Sequence, residues 1–167
     1  MNSRVLDEQD AQEYQALRLR ALQTNPESFG STYEREVEFS LEAVQARLKP
    51  MTDKFVLGTF DERGSLVGTA TFVRESGMKF AHKGNVFGMY VAPESRGQGI
   101  GTFLINKLIM KVKDCEGLEQ INLTVVSNNL AAKELYKSVG FEVFGTERNA
   151  LKYNGEYYDE DLMVIQL

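Results

Sequence analysis

The segment Val91-Ala92-Pro93-Glu94-Ser95-Arg96-Gly97-Gln98-Gly99-Ile100-Gly101 constrains this chain most, because it joins an apolar strand to a helix through a loop with three glycines. Gly97, Gly99 and Gly101 let the backbone approach a ligand closely, and the first turn of the helix offers unpaired N–H groups at the positive end of its dipole. That is anion-binding chemistry, and a diphosphate fits it. With Ile121 to Val126 reading as a buried strand after the helix, the unit is strand, loop, helix, strand, and the chain falls among the α/β folds.

Two familiar phosphate loops fail on specific residues. A P-loop needs a Lys before its Ser or Thr, but Ile100 and Gly101 precede Thr102; the dinucleotide fingerprint wants its third glycine where Leu104 stands. Neither nucleotide fold is supported. At 167 residues the chain is the size of one domain, 1–167, large enough to bury a core without disulfides or metals. Cys115 is the single cysteine, which excludes an intramolecular disulfide. The first seven residues lack the apolar run of a signal peptide and no segment approaches a membrane span, so a cytoplasmic protein with no membrane partner is expected. With 24 acidic against 19 basic residues the net charge is −5, which argues against nucleic acid as partner and suits a cationic amine better.

No internal repeat or low-complexity tract interrupts the string. Arg4 to Leu6 reads as a short first strand. Asp7 with Asp10 marks a helix start, the stripe Ala11, Tyr14, Leu17 and Ala21 faces the core, and the helix stops near Asn25-Pro26. Ser31-Thr32-Tyr33-Glu34 reads as a second capping box, and Ser40 with Leu41, Val44 and Leu48 continues a helical pattern to Lys49-Pro50. Phe55 to Phe60 and Leu66 to Val73 are strands joined by Asp61-Glu62-Arg63-Gly64, and Asn85 to Val91 is the next. Phe103, Leu104, Leu108 and Val112 recur at helical spacing beyond the glycine loop. Ala132, Leu135, Tyr136 and Val139 mark one face of a last helix ended by Gly140, and Phe141 opens a strand pair around Asn154-Gly155.

Two segments carry a resemblance. Arg96-x-x-Gly99-x-Gly101 after a strand resembles the acyl-CoA pyrophosphate loop of the GNAT superfamily of N-acyltransferases, and Asn129-x-x-Ala132-x-x-Leu135-Tyr136-x-x-x-Gly140-Phe141 is similar to its second motif at every fixed position. They stand in the family's order, and the specific part lies between Val86 and Phe141; the remainder matches in element order only. The resemblance implies an α/β (α+β) GNAT fold: a twisted mixed sheet of about seven strands splayed in a V, flanked by about four helices, with acyl-CoA lying in the V.

For individual residues the resemblance implies roles that stand beside plainer ones. Backbone N–H groups of Arg96, Gly97, Gln98, Gly99, Ile100 and Gly101 hold the pyrophosphate, and the helix dipole at Thr102 reinforces them. The Arg96 side chain can equally be solvated. Backbone groups of Met89, Tyr90 and Val91 bind the pantetheine amides and polarise the thioester carbonyl, while their side chains can be core. Asn129 is an N-cap that also contacts the cofactor. Tyr136 lies on the apolar stripe, where a buried core tyrosine is the competing reading, but its motif position puts the hydroxyl near the CoA sulfur as catalytic acid. A thiolate of pKa about 8.5 must leave, and a phenol of pKa about 10 can protonate it.

The implied reaction is acetyl transfer from acetyl-CoA, without a metal, to a primary amine of a small molecule or peptide that attacks directly in a ternary complex. The amine, of pKa about 10.4 when lysine-like, must lose a proton first, and the strand that often supplies a Glu here has Asn85, Val86, Phe87 and Gly88. Glu34, Glu36 and Tyr33 are substitutes, each weighed against a solvated helix residue; His82 lies in a polar loop, and Cys115 has no recognisable partner for a covalent route. The missing strand carboxylate keeps a second reading open, a CoA-binding sensor without turnover. A nucleotide-binding regulatory domain is a remote third. Oligomeric state is open: many family members dimerise, and the Tyr157 to Leu167 strand is a candidate to pair across a homodimer interface. Tyr153, Tyr157 and Tyr158 stand open between acceptor pocket and sheet face.

Overall fold

A computed structural model describes all 167 residues. Seven strands form one sheet: β1 (Asn2–Val5), β2 (Lys54–Phe60), β3 (Leu66–Arg74), β4 (Lys83–Val91), β5 (Gln120–Val126), β6 (Glu142–Tyr153) and β7 (Glu156–Gln166), in the order β1-β2-β3-β4-β5-β7-β6. Every neighbouring pair is antiparallel except β4 and β5. These two pair in parallel only over Lys83–Asn85 against Gln120–Asn122, so the sheet is mixed and opens beyond that point. The opening faces the carboxyl ends of both strands, where α/β sheets place their ligands.

Five helices accompany the sheet: α1 (Ala11–Thr24), α2 (Tyr33–Glu36), α3 (Leu41–Leu48), α4 (Ile100–Val112) and α5 (Leu130–Ser138). One more than the resemblance implied is present, because α2 is a single turn with its own cap. That cap is Thr32 rather than Ser31: Thr32 Oγ1 accepts the Arg35 N–H at 3.3 Å. Ser40 caps α3 in the same way. Ahead of α1, Asp7 accepts the Gln9 N–H and Asp10 accepts the Asp7 N–H, each at 2.9 Å, and α1 ends at Asn25 before Pro26. No helix is long and apolar enough to cross a membrane.

The strand β2 is buried almost throughout because both faces of the sheet are covered. Phe55 and Leu57 join a cluster with Phe72, Leu104, Leu108, Ile121 and Phe141 under α4 and α5. Val56, between them, packs on the other face with Leu6, Tyr14, Leu17, Val44 and Leu48 under α1 and α3. Ile105 is fully buried in α4 while Phe103 is only half-buried, a quarter-turn correction to the stripe read from spacing.

The strand β7 lies between β5 and β6, and both of its edges are taken over Glu160–Val164. It therefore has no free edge there to offer a second copy; the outer edge belongs to β6, whose residues are mostly exposed. Asn154 and Gly155, at φ 50° and 80°, make the tight turn between these last strands.

Candidate active site

The glycine loop leaves β4 through Ala92, makes one 3₁₀ turn at Pro93–Ser95, and enters α4 at Ile100. Gly97 and Gly99 have φ of 73° and 77°, a region that side-chain-bearing residues rarely adopt, and a Cβ at either would meet nothing within 4 Å. Their requirement is backbone direction. Gly99 occupies the N-cap of α4 and supplies no side-chain acceptor, and no acidic residue stands in the first turn. The leading N–H groups of a 13-residue helix are thus left for a ligand, at the positive end of its dipole. Gly101 serves differently: a Cβ there would lie 2.5 Å from Leu135 Cδ1, so its absence lets α4 approach α5 closely.

These groups line a cleft of about 470 Å³ between β4, the loop and α5. Met89, Tyr90, Val91, Arg96, Gly97, Gly99, Ile100, Gly101, Thr102, Asn129 and Tyr136 all contribute to its wall. Gln98 does not; its side-chain amide donates to the Glu94 carbonyl at 3.2 Å. Arg96 is tethered rather than freely solvated, donating through Nε to the Val91 carbonyl and through Nη2 to Asn25 Oδ1, each at 2.9 Å. The Tyr90 ring belongs to the core beneath α1, with its hydroxyl 2.9 Å from Thr24 Oγ1.

Where β4 borders the opening it carries a bulge. Thr69 pairs with Tyr90 and Thr71 with Phe87, so Ala70 faces the two residues Gly88 and Met89. Gly88 takes φ 57° to make the bend. From Val86 to Val91 the side of β4 toward β5 has no ladder partner, which leaves backbone groups available to a bound molecule.

On the opposite wall, Asn129 Oδ1 caps α5 by accepting the Ala132 N–H at 3.2 Å. Its cap role and its place in the cleft coexist. Tyr136, 8% exposed, packs edge-on against Phe141 with ring centroids 5.9 Å apart. Burial alone pushes its phenol well above the usual range, so the hydroxyl stays protonated at neutral pH.

A second cavity of about 240 Å³ lies on the other side of the bulge, lined by Arg18, Phe87, Gly88, Thr124 and Glu160 among others. Phe29, Met89, Asn129, Ala132 and Tyr136 line both spaces. The two therefore meet at the bulge and the Tyr136 ring.

Glu36 is the residue that sequence placed least well. It is 2% exposed rather than solvated, bound by Arg18 Nε and Nη2 at 3.1 and 2.9 Å and by Arg47 Nη1 at 3.0 Å. Burial by itself raises its carboxyl, but hydrogen bonds from Arg18 and Ser31 and the charges of both arginines outweigh that and hold it at about 2. Such a carboxylate is a poor base at neutral pH. Tyr33 and Glu34 line a separate cavity with Tyr153. His82 lines neither space of the opening; its carbonyl accepts the Glu119 and Gln120 N–H groups where β5 begins. Cys115, just past α4, lines neither as well.

An acetyltransferase (GNAT) domain model matches residues 4–162. The chain belongs to the GNAT acetyltransferase family. Among its relatives are the L-amino acid N-acetyltransferase AaaT of Escherichia coli, 30% identical over 58% of this chain and 59% of that protein. The spermidine N(1)-acetyltransferase of Vibrio cholerae is 29% identical over 63% of this chain and 59% of that one. Each match thus spans about three fifths of the relative's length. An acetyltransferase of the GNAT family from Streptococcus pneumoniae superposes with a TM-score of 0.87 at 22% identity, over 99% of both chains. The yncA structure from Salmonella typhimurium, which holds its cofactor acetyl-CoA, superposes at 0.77 with 26% identity over 100% of this chain and 94% of that one.

Within this GNAT fold, Arg18 and Glu160 line the second cavity, and sequence reading did not single them out. Arg18 sits on the polar flank of α1, and Glu160 sits in the acidic run Asp159-Glu160-Asp161, which reads as a solvated strand end. Glu160 pairs across the sheet with Val126 on one side and Glu147 on the other. Burial and then the charge of Glu147 raise its carboxyl above the usual range.

Proposed function

We propose that this chain is an acetyl-CoA-dependent N-acetyltransferase acting on a primary amine of a small molecule or peptide. The observation that carries the reading is the meeting of the two spaces at the β4 bulge, with the Tyr136 phenol lining both. One space offers the uncapped start of α4, as a pyrophosphate requires, and the cofactor in the related yncA structure supports the same use here. The other is a separate cavity for the attacking amine.

Acetyl-CoA supplies the activated acetyl thioester. The start of α4 and the glycine loop hold the diphosphate by backbone N–H groups, so affinity there depends on backbone direction rather than on a charged side chain. The unpaired side of β4 from Val86 to Val91 supplies backbone groups for the pantetheine amides and for polarising the carbonyl. Tyr136, protonated at neutral pH as any phenol is and lining both spaces, delivers its proton to the sulfur as the C–S bond breaks. Asn129 holds the first turn of α5 and with it the position of Tyr136.

Release of free CoA from acetyl-CoA, measured across amino acids, polyamines, aminoglycosides and short peptides, tests the reading. Amine-dependent release that falls in Tyr136→Phe supports it. Tight acetyl-CoA binding with no release on any acceptor overturns it in favour of a CoA-binding sensor.

A further inference from the structure

The cavity beyond the bulge holds an orphan. Arg18 spends Nε and Nη2 on Glu36, but its Nη1 is buried and has no hydrogen-bond partner. That atom lies against the bulge: a Cβ built on Gly88 would sit 3.7 Å from it, and the guanidinium is held by stacking on the Phe29 ring at 4.9 Å. A buried N–H donor without a partner is costly and marks where a ligand acceptor belongs. Charge points the same way. Arg18 and Arg47 share the single carboxylate of Glu36, so the cluster has one positive charge in excess. An anionic oxygen on Nη1 completes both the hydrogen bonding and the charge balance.

Glu160 lines the same cavity from β7. It has no salt-bridge or hydrogen-bond partner of its own, unlike Asp161 next to it, which is held by Lys133, Ser127 and Thr146. One free carboxylate and one free guanidinium N–H thus line a single small space with Tyr136.

We propose that this cavity takes an acceptor whose primary amine carries a carboxylate close by, as an α-amino acid does, with the carboxylate on Arg18 Nη1 and the ammonium on Glu160. The proposal rests on the transferase reading above and deepens it. Glu160 then accepts the proton that frees the nitrogen for attack, and its raised carboxyl pKa moves it toward that task. The protons balance. Of the three on the ammonium, one passes through Glu160 to solvent, one stays on the amide nitrogen, and one replaces the proton that Tyr136 gives to sulfur. A polyamine fits worse, since its second ammonium meets Arg18 instead of a carboxylate.

Equilibrium binding by calorimetry, with the protein saturated by CoA, tests the proposal without requiring turnover. The probes are matched sets: an L-amino acid, the amine left by removing its carboxylate, and the acid left by removing its amine, for one aliphatic and one aromatic side chain. The expected result is at least tenfold tighter binding of the amino acid than of either partner. Arg18→Lys, which keeps a cation beside Glu36, should reduce the margin over the amine to less than threefold, and Glu160→Gln the margin over the acid. Equal binding of amine and amino acid by the unmutated protein overturns the proposal. Acetyl transfer to polyamines alone overturns it too but leaves the transferase reading intact. Amino-acid binding without any transfer overturns that reading and leaves the cavity assignment standing.

Discussion

The cleft and the cavity share a wall at Tyr136, yet they are made of different material. The cleft comes mainly from two continuous stretches, Met89–Thr102 and Asn129–Tyr136, and much of what it offers is backbone. The cavity takes its walls from Val86–Met89 of β4 and Thr124–Val126 of β5, but its two charged side chains, Arg18 and Glu160, come singly from α1 and β7, more than a hundred residues apart in sequence. A backbone site needs positive φ and a helix start at fixed spacing, so it must be written as a motif. A side-chain site needs only that the fold bring the groups together. Acceptor choice can therefore change while the cofactor motif stays the same.

The largest effect is expected at the frame of the cavity. Glu36→Ala leaves the half-buried Arg18 and Arg47 facing each other without their carboxylate and should cost about 3 kcal/mol in urea denaturation at neutral pH. The same carboxylate has a pH signature. Its folded pKa, about 2, lies below its ordinary 4.5, so its stabilisation is complete above 4.5 and is lost as pH falls toward 2. The loss should amount to roughly 3 kcal/mol across that window, and Glu36→Gln should flatten that part of the profile. A variant that retains the slope would show that other carboxylates carry the acid sensitivity.

Tyr136→Phe should come next, lowering kcat about a hundredfold with acetyl-CoA affinity little changed, as for loss of a general acid. Were affinity to fall instead while kcat held, Tyr136 would belong to the cleft as a packing residue and the junction would lose its chemical meaning. Gly99→Val tests the cleft itself. Forcing a β-branched residue to φ 77° should cost about 1–2 kcal/mol and weaken acetyl-CoA roughly tenfold, because the first N–H groups of α4 are re-aimed. Neither should alter the ranking of acceptors. Arg96→Met is expected to be the mildest, about twofold in acetyl-CoA affinity by calorimetry, since the exposed guanidinium only tethers the loop to Val91 and Asn25.

Much of the fold was legible because its signals are local. The caps Asp7 and Ser40, the turn at Asn154-Gly155 and the stripes of α1 and α5 each depend on neighbours a few residues away. The cleft was legible for the same reason, down to Gly99 at a cap with no side chain, although Gly101 proved to be a packing glycine against Leu135. Glu36 misled because its partners, Arg18 and Arg47, lie on other helices, and nothing within its own turn distinguishes it from the solvated Glu34. Strand position in the sheet was hidden too. The alternation of β7 does not say that β5 and β6 will occupy its two edges.

By itself the sequence determined the strand, the glycine loop and the helix that follows it, the capped helix that carries Tyr136, and through them the family. Only the tertiary structure decided that β4 and β5 part after Asn85, that Glu36 is buried between two arginines, and that Arg18 and Glu160 line one cavity. The physical reason is range. Backbone direction and capping are settled within one turn of chain, whereas burial, charge pairing and the meeting of side chains exist only after distant segments have packed.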